Sequence, residues 1–238
     1  MMVKYTKINT LWKREISGKK HGKILRGEYS CPEFANIMYW EVTEKIHGRN
    51  TRIEYYVSIS NGNIKITDIS FLGRTDDSEI PSSLFNYLNT TFTPEVLAKM
   101  VNIRFDKVTN IPIDDSYDVT LFGEGYGAKI QSSGGRYSQT PNFRLFDVKV
   151  GDWWLLRDDV YDIAKKLGIK SVPVIGILTE KDIVSLVEDG YHKKNFKSVI
   201  SDDTTLDAEG IVARSHPLVL FRDGKPLMFK LKQSDFNE

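Results

Sequence analysis

For an amine to attack phosphorus, it must be held neutral, cations must meet the phosphate oxygens, and an acid is useful for holding a hard metal ion. This 238-residue sequence offers each in a distinct local setting. Lys45 ends an alternating run that starts at Met38, and Gly48 follows three residues later, which places the lysine at a strand end before a tight turn. The same spacing recurs at Lys19 to Gly22 and at Lys165 to Gly168, but neither follows a strand-like alternation. As a nucleophile Lys45 requires desolvation or nearby cations to lower its pKa; the plain alternative is a surface lysine at a hairpin. Glu209 stands before Gly210, Ile211 and Val212, at the start of an apolar strand. A carboxylate there can hold a divalent cation directly or through water, or can simply face solvent. Lys230 and Lys232 alternate with Phe229 and Leu231, so both ammoniums share one face of a strand. Like charges so placed repel unless an anion lies between them or water screens them.

Two further segments have shapes suited to a ligand. From Phe122 to Gly127 the acid Glu124 sits among glycines at a strand end, where backbone can approach a ligand closely, although the spacing matches neither the Walker phosphate loop nor the dinucleotide fingerprint. In the strand from Phe143 to Val148, strict alternation sends Phe146 and Asp147 to opposite faces, leaving Phe146 to stack on a base or to fill a core. Lys13, Arg14, Lys19, Lys20, Lys23 and Arg26 crowd one polar segment opposed nearby by Glu15 and Glu28, a candidate phosphate contact or a solvated surface.

The elements that must position these residues read as α+β. Strands are expected around Met38 to Lys45, Arg52 to Ile59, Ile64 to Ile69, Tyr117 to Phe122, Arg144 to Val150, Gly210 to Arg214, Leu218 to Phe221 and Leu227 to Lys232, with hairpin turns at Asn61 and Gly62 and at Asp223 and Gly224. Helices are expected at Pro81 to Leu88, Pro94 to Val101, Asp158 to Leu167 and Glu180 to Glu188; Gly168 ends the third and Thr179 caps the fourth. Hydrophobic content of 40% supports a full core, and the absence of a repeat or long linker leads to one domain over residues 1–238, with 1–36 as its basic N-terminal segment. The single cysteine, Cys31, excludes a disulfide framework, and no apolar run is long enough to span a bilayer, so a cytoplasmic protein without membrane association is expected. A net charge of +1 restricts any nucleic-acid surface to a local patch.

In this order, the segments resemble the covalent nucleotidyltransferase superfamily of polynucleotide ligases and mRNA capping enzymes. The stretch Glu44, Lys45, Ile46, His47, Gly48, Arg49, Asn50 is similar to the nucleophile motif of nick-sealing RNA ligases, the branch of phage double-strand RNA ligases and RNA-editing ligases. The resemblance implies two antiparallel sheets flanking an ATP cleft, with peripheral helices and no room for a C-terminal barrel. It implies that Lys45 forms the bond to AMP and that Lys230 and Lys232 grip the α-phosphate. Glu209 would help hold Mg2+, with Mn2+ as a substitute. Arg74 would contact the ribose or the 5′-phosphate strand, Glu124 the ribose with Asn50 as an added contact, and Phe146 the adenine, with Asp147 supporting the site. Backbone at Glu44 and Ile46 would read the adenine edge. The implied function is ATP-dependent joining of 3′-hydroxyl and 5′-phosphate ends in RNA repair, with RNA or a nicked duplex as partner. The alternatives are a minimal ATP-dependent DNA ligase, or a nucleic-acid-binding relative without turnover. Nothing in the residues sets the oligomeric state.

Overall fold

The computed structural model describes residues 4–17, 20–76, 78–132 and 134–237, with side chains at all of these except 16, 17, 20 and 21. Contacts divide the chain into a first unit, Met1–Tyr5 with Gly48–Ser171, and a second, Thr6–His47 with Val172–Glu238. The second unit begins with strands β1 (Asn9–Thr10), β2 (Trp12–Ser17), β3 (Lys20–Tyr29) and β4 (Tyr39–Glu44). The first unit contributes β5 (Arg49–Ser60), β6 (Asn63–Gly73), helices α1 (Ser82–Thr91) and α2 (Pro94–Ala98), β7 (Asp115–Tyr126), α3 (Gly134–Tyr137), β8 (Asn142–Val150), β9 (Trp153–Trp154), α4 (Arg157–Leu167) and β10 (Lys170–Ser171). The second unit is completed by β11 (Val174–Leu178), α5 (Glu180–Lys193), β12 (Gly210–His216) and β13 (Met228–Lys232).

The first unit's sheet runs β10-β8-β7-β5-β6 with β9 on β8, and is antiparallel except at the β10 edge. Its alternating Ile53, Tyr55, Val57 and Ile59 meet Leu84 and Leu88 of α1 and the Val160, Ile163, Ala164 and Leu167 stripe of α4 in one core. Asn61 and Gly62 take φ of 50° and 77°, the double left-handed turn that suits strand twist between β5 and β6. The second unit's sheet runs β1-β13-β12-β4-β11, antiparallel except where β1 joins β13. Its core is aromatic: Trp40 packs edge-on against Phe229 at 4.7 Å and Phe34 at 5.7 Å, with Ile183 and Val187 of α5 also in the cluster.

Several expectations are refined. The basic segment is a separate hairpin of β2 and β3. Leu218 to Phe221 is no strand; among the described residues it makes one isolated bridge, Leu220 with Pro226. Pro217 has no N–H with which to extend β12, and the Phe221 N–H is taken locally by the Lys225 carbonyl at 2.8 Å. The Lys165 to Gly168 spacing is a helix end, with Gly168 as the left-handed cap of α4, while Lys19 lies outside the described residues. No described helix is long and apolar enough to cross a membrane.

Candidate active site

In the second unit, β4 delivers Lys45 one residue beyond its end. The Lys45 N–H donates to the Gly210 carbonyl at 2.9 Å, which ties the nucleophile turn to the start of β12. A Cβ on Gly210 would lie 2.2 Å from the Leu231 carbonyl, so only glycine permits this approach beside Glu209. Glu209 is thereby placed between two lysines: its Oε2 lies 2.6 Å from Lys45 Nζ and its Oε1 2.5 Å from Lys232 Nζ. Burial works to raise the Glu209 carboxyl, but the combined pull of Lys45 and Lys232 outweighs it and holds the group below its ordinary range. Lys230, two residues along the same face, has no carboxylate partner among the described residues. Burial lowers its pKa, and the charges of Lys45, Lys232 and Lys7 lower it further.

Glu44 and Ile46, on either side of Lys45, are both buried. The Glu44 carboxylate accepts from Ser198 Oγ and from the Val199 N–H at 2.8 Å, anchoring the 198–201 loop, and the Ile46 carbonyl accepts from Lys45 Nζ at 3.3 Å. Of the basic segment, Lys13 pairs with Glu28, Arg14 with Asp235 and Arg26 with Glu188, while the side chain of Lys20 is outside the description. Those three charges are largely compensated within the unit.

In the first unit, Asn50 of β5 stands opposite Glu124 of β7. Glu124 Oε1 accepts the Gly48 N–H at 3.1 Å, and a Cβ on Gly48 would meet the Gly125 carbonyl at 2.4 Å, so the turn after Lys45 needs glycine for this close approach. Asn50 Oδ1 is buried without a hydrogen-bond partner among the described residues, an acceptor whose desolvation costs about 1–3 kcal/mol until a donor reaches it. Arg74 is exposed, and its carbonyl receives Nη1 of the fully buried Arg52 at 3.1 Å; Arg52 also pairs with Asp76, which Lys4 meets at 3.1 Å.

The placement of Phe146 and Asp147 differs from strict alternation. Phe122 pairs with Asp147 and Gly123 with Leu145, so Phe146 is the extra residue of a β-bulge. Both side chains consequently meet Tyr5: its hydroxyl donates to Asp147 Oδ2 at 2.6 Å and its ring lies 5.0 Å from that of Phe146. Phe122 and Trp154 complete this aromatic group. Tyr5 carries no local sequence signal, since its partner is 142 residues away.

A single carboxylate among lysines is a sparse donor set, and no group of three potential metal ligands occurs among the described residues. It fits a hard ion that takes one carboxylate and draws its remaining oxygens from phosphates and water.

No curated protein matches the sequence significantly. Among solved structures, a Naegleria gruberi RNA ligase variant with AMP and manganese superposes with a TM-score of 0.55 at 16% identity, over 97% of this chain and 56% of that one. Another variant of that ligase, with ATP and manganese, gives 0.52 at 17%, over 98% and 60%, and an apo variant gives 0.52 at 18%, over 87% and 53%. The fold is therefore the mixed α+β nucleotidyltransferase-like fold of an RNA ligase adenylation domain, and the chain spans between half and three-fifths of the length of these relatives. At the level of sequence, residues 38–232 match the RNA ligase family model, a stretch running from the strand that carries Lys45 through both lysines of β13; the chain belongs to the RNA ligase family.

Proposed function

We propose that this protein is an ATP-dependent RNA ligase that seals nicks through a lysyl-AMP on Lys45. The carrying observation is the Lys45, Glu209, Lys232 array beside a half-buried Lys230. Lys45 must lose a proton to attack, and in this array its amine lies 2.6 Å from a Glu209 oxygen. An incoming triphosphate engages Lys230 and Lys232, the two lysines that share one face of β13. The Lys45 amine then forms an N–P bond to the α-phosphorus as the bond to the β-phosphate oxygen breaks, and the electron pair departs with pyrophosphate. AMP next passes to a 5′-phosphate, and a 3′-hydroxyl displaces it to close the strand. All three are phosphoryl transfers, in which the protein chiefly positions groups and neutralises charge. A divalent ion, as in the manganese-bound Naegleria structures, would be held by Glu209 and phosphate oxygens and would neutralise developing charge.

The first unit is assigned recognition of the nucleoside. The unpartnered Asn50 Oδ1 is suited to a ribose hydroxyl, with Glu124 beside it, and Phe146 offers a ring for adenine. We assign the 5′-phosphate strand to Arg74 and the adenine edge to backbone at Glu44 and Ile46, and we take both units to form one adenylyltransferase module.

The test is incubation of pyrophosphate-treated, desalted protein with magnesium or manganese and α-labelled ATP or GTP, resolved on a denaturing gel. Label from ATP alone is expected. Label from GTP instead indicates capping chemistry, and no label with either metal favours a binding relative without turnover. Four nicked duplexes differing only in the sugars at the nick then test the substrate. Fastest sealing is expected when the 3′-hydroxyl strand ends in ribonucleotides, because A-form geometry and the 2′-hydroxyl are the cues at the break; faster sealing with deoxyribose there transfers the assignment to a DNA ligase.

A further inference from the structure

The second unit contains a hollow of about 510 Å3 whose lining includes Lys7, Thr10, Arg14, Lys230, Lys232 and Asp235. Strand pairing explains the grouping. Asn9 and Thr10 of β1 lie beside Phe229 and Lys230 of β13, so the chain just before β1 brings Lys7 to the hollow that Lys230 also lines, near enough for its charge to act on Lys230. Arg14 reaches in from β2, fixed by Asp235 and by the Gly22 carbonyl at 3.3 Å. Asp235 in turn accepts the Lys232 N–H at 2.9 Å. Among the described residues, four cations thus line the hollow against one carboxylate, and that carboxylate is already engaged by Arg14. Lys7 and Lys230 have no carboxylate partner among the described residues.

A concave surface with this excess of positive charge suits an anion bearing several charged oxygens. The hollow is also one side chain from the nucleophile, because Lys232 touches the Glu209 that holds Lys45. We propose that Lys7, with Arg14 behind it, forms the subsite for the two outer phosphates of ATP, holding them as pyrophosphate leaves. This rests on the lysyl-AMP reading above and adds to it a residue that acts in one step only. Charge leaves the α-phosphorus with the bridging oxygen, so a cation at the outer phosphates stabilises the departing group in lysine adenylylation and, in reverse, binds the pyrophosphate that attacks lysyl-AMP. Sealing of an already adenylylated strand contains no pyrophosphate and gains nothing from Lys7.

The experiment uses full-length Lys7→Ala and Lys7→Glu; Lys7 is exposed, so neither change disturbs a core. Three rates are compared with the unsubstituted protein: labelling of Lys45 against ATP concentration, discharge of labelled protein against inorganic pyrophosphate concentration, and sealing of a pre-adenylylated RNA nick without ATP. For Lys7→Ala, the half-saturating concentration of pyrophosphate is expected to rise roughly tenfold, the scale of one charge-assisted contact, with labelling slowed and sealing within about twofold. Lys7→Glu should be worse in the first two assays and again near normal in the third. Equal losses in all three would assign the hollow to the nucleic-acid strand and overturn the proposal, as would an unchanged pyrophosphate dependence. Thermal stabilisation by inorganic pyrophosphate, weaker in Lys7→Glu, tests the subsite without turnover. Its absence in the unsubstituted protein would also overturn the proposal, whereas failure of that protein to take label from ATP would overturn the lysyl-AMP reading itself.

Discussion

The two units hold their candidate residues by different physical means. In the second, position and charge are one problem: Lys45 and Lys232 are drawn to the two oxygens of Glu209, and Lys230 stands nearby without such a partner among the described residues. In the first, the recognition residues are held by ladder register, an aromatic group and hydrogen bonds, and Phe146 and Asp147 meet one tyrosine. Altering one charge in the second unit changes the electrostatics of all its neighbours. Altering one contact in the first removes that contact and leaves the ladder standing. The difference predicts that loss of covalent chemistry and loss of nucleotide affinity separate cleanly between the units.

The sharpest test is Lys45. Both Lys45→Ala and Lys45→Arg should abolish labelling from ATP while leaving circular dichroism unchanged, since guanidinium stays protonated and cannot attack; label on either variant places the nucleophile elsewhere. Glu209→Gln should lower the labelling rate by roughly 10²–10³-fold, as when an electrostatic contact at a reacting centre is lost. It should also change the acid limb of stability. The Glu209 pKa is lowered in the folded state, so its contribution is present above the ordinary value of 4.5 and is lost as pH falls through the folded value. Urea titrations across that range should therefore show a shallower decline for Glu209→Gln, and identical slopes would contradict the clamp.

Phe146→Ala should weaken ATP use by roughly 1–3 kcal/mol, mainly in KM, as for a base-aromatic stack. Tyr5→Phe, which keeps the ring and deletes the bond to Asp147, should cost about 1 kcal/mol of stability. If either instead abolishes labelling with KM unchanged, the division of labour between the units fails. The smallest effect has the opposite sign. The Lys230 amine has a folded pKa below 10.5, so the charged form is disfavoured at neutral pH and stability rises with pH between the two values. Lys230→Met should therefore stabilise the ligand-free protein by up to about 1 kcal/mol in chemical denaturation while slowing labelling, the trade expected where function holds like charges together.

What could be read from the sequence follows the range of each determinant. Lys45 stood out because a local alternation precedes it and a glycine follows, and the Lys230 and Lys232 face was readable because a strand repeats every two residues. The helices at α4 and α5 carry their caps beside them in sequence, at Gly168 and Thr179. The shared direction of Phe146 and Asp147 was hidden, because a bulge is a property of the pairing with β7 and leaves no mark on β8 alone. Tyr5 and Lys7 were silent for the same reason: each is defined by a partner in distant sequence. The basic segment left phosphate contact and solvated surface both open, because Asp235 and Glu188, the partners of Arg14 and Arg26, lie far away in sequence.

The ordering of strands has a consequence for the protein during its synthesis. The first unit's main strands, β5 to β8, follow one another in the chain, with a tight turn between β5 and β6 and two helices between β6 and β7, so all four are available to pair once residue 150 has emerged. The strand that carries Lys45 is made earlier, yet its partners β11 and β12 arrive more than a hundred residues later, and Lys232 later still. Domains fold as they emerge, and the nucleophile is made more than 160 residues before its carboxylate and its companion lysines. The array around Lys45 is therefore complete only once β13 has been made, and a chain stopped between Glu209 and Lys232 would hold one lysine on that carboxylate in place of two.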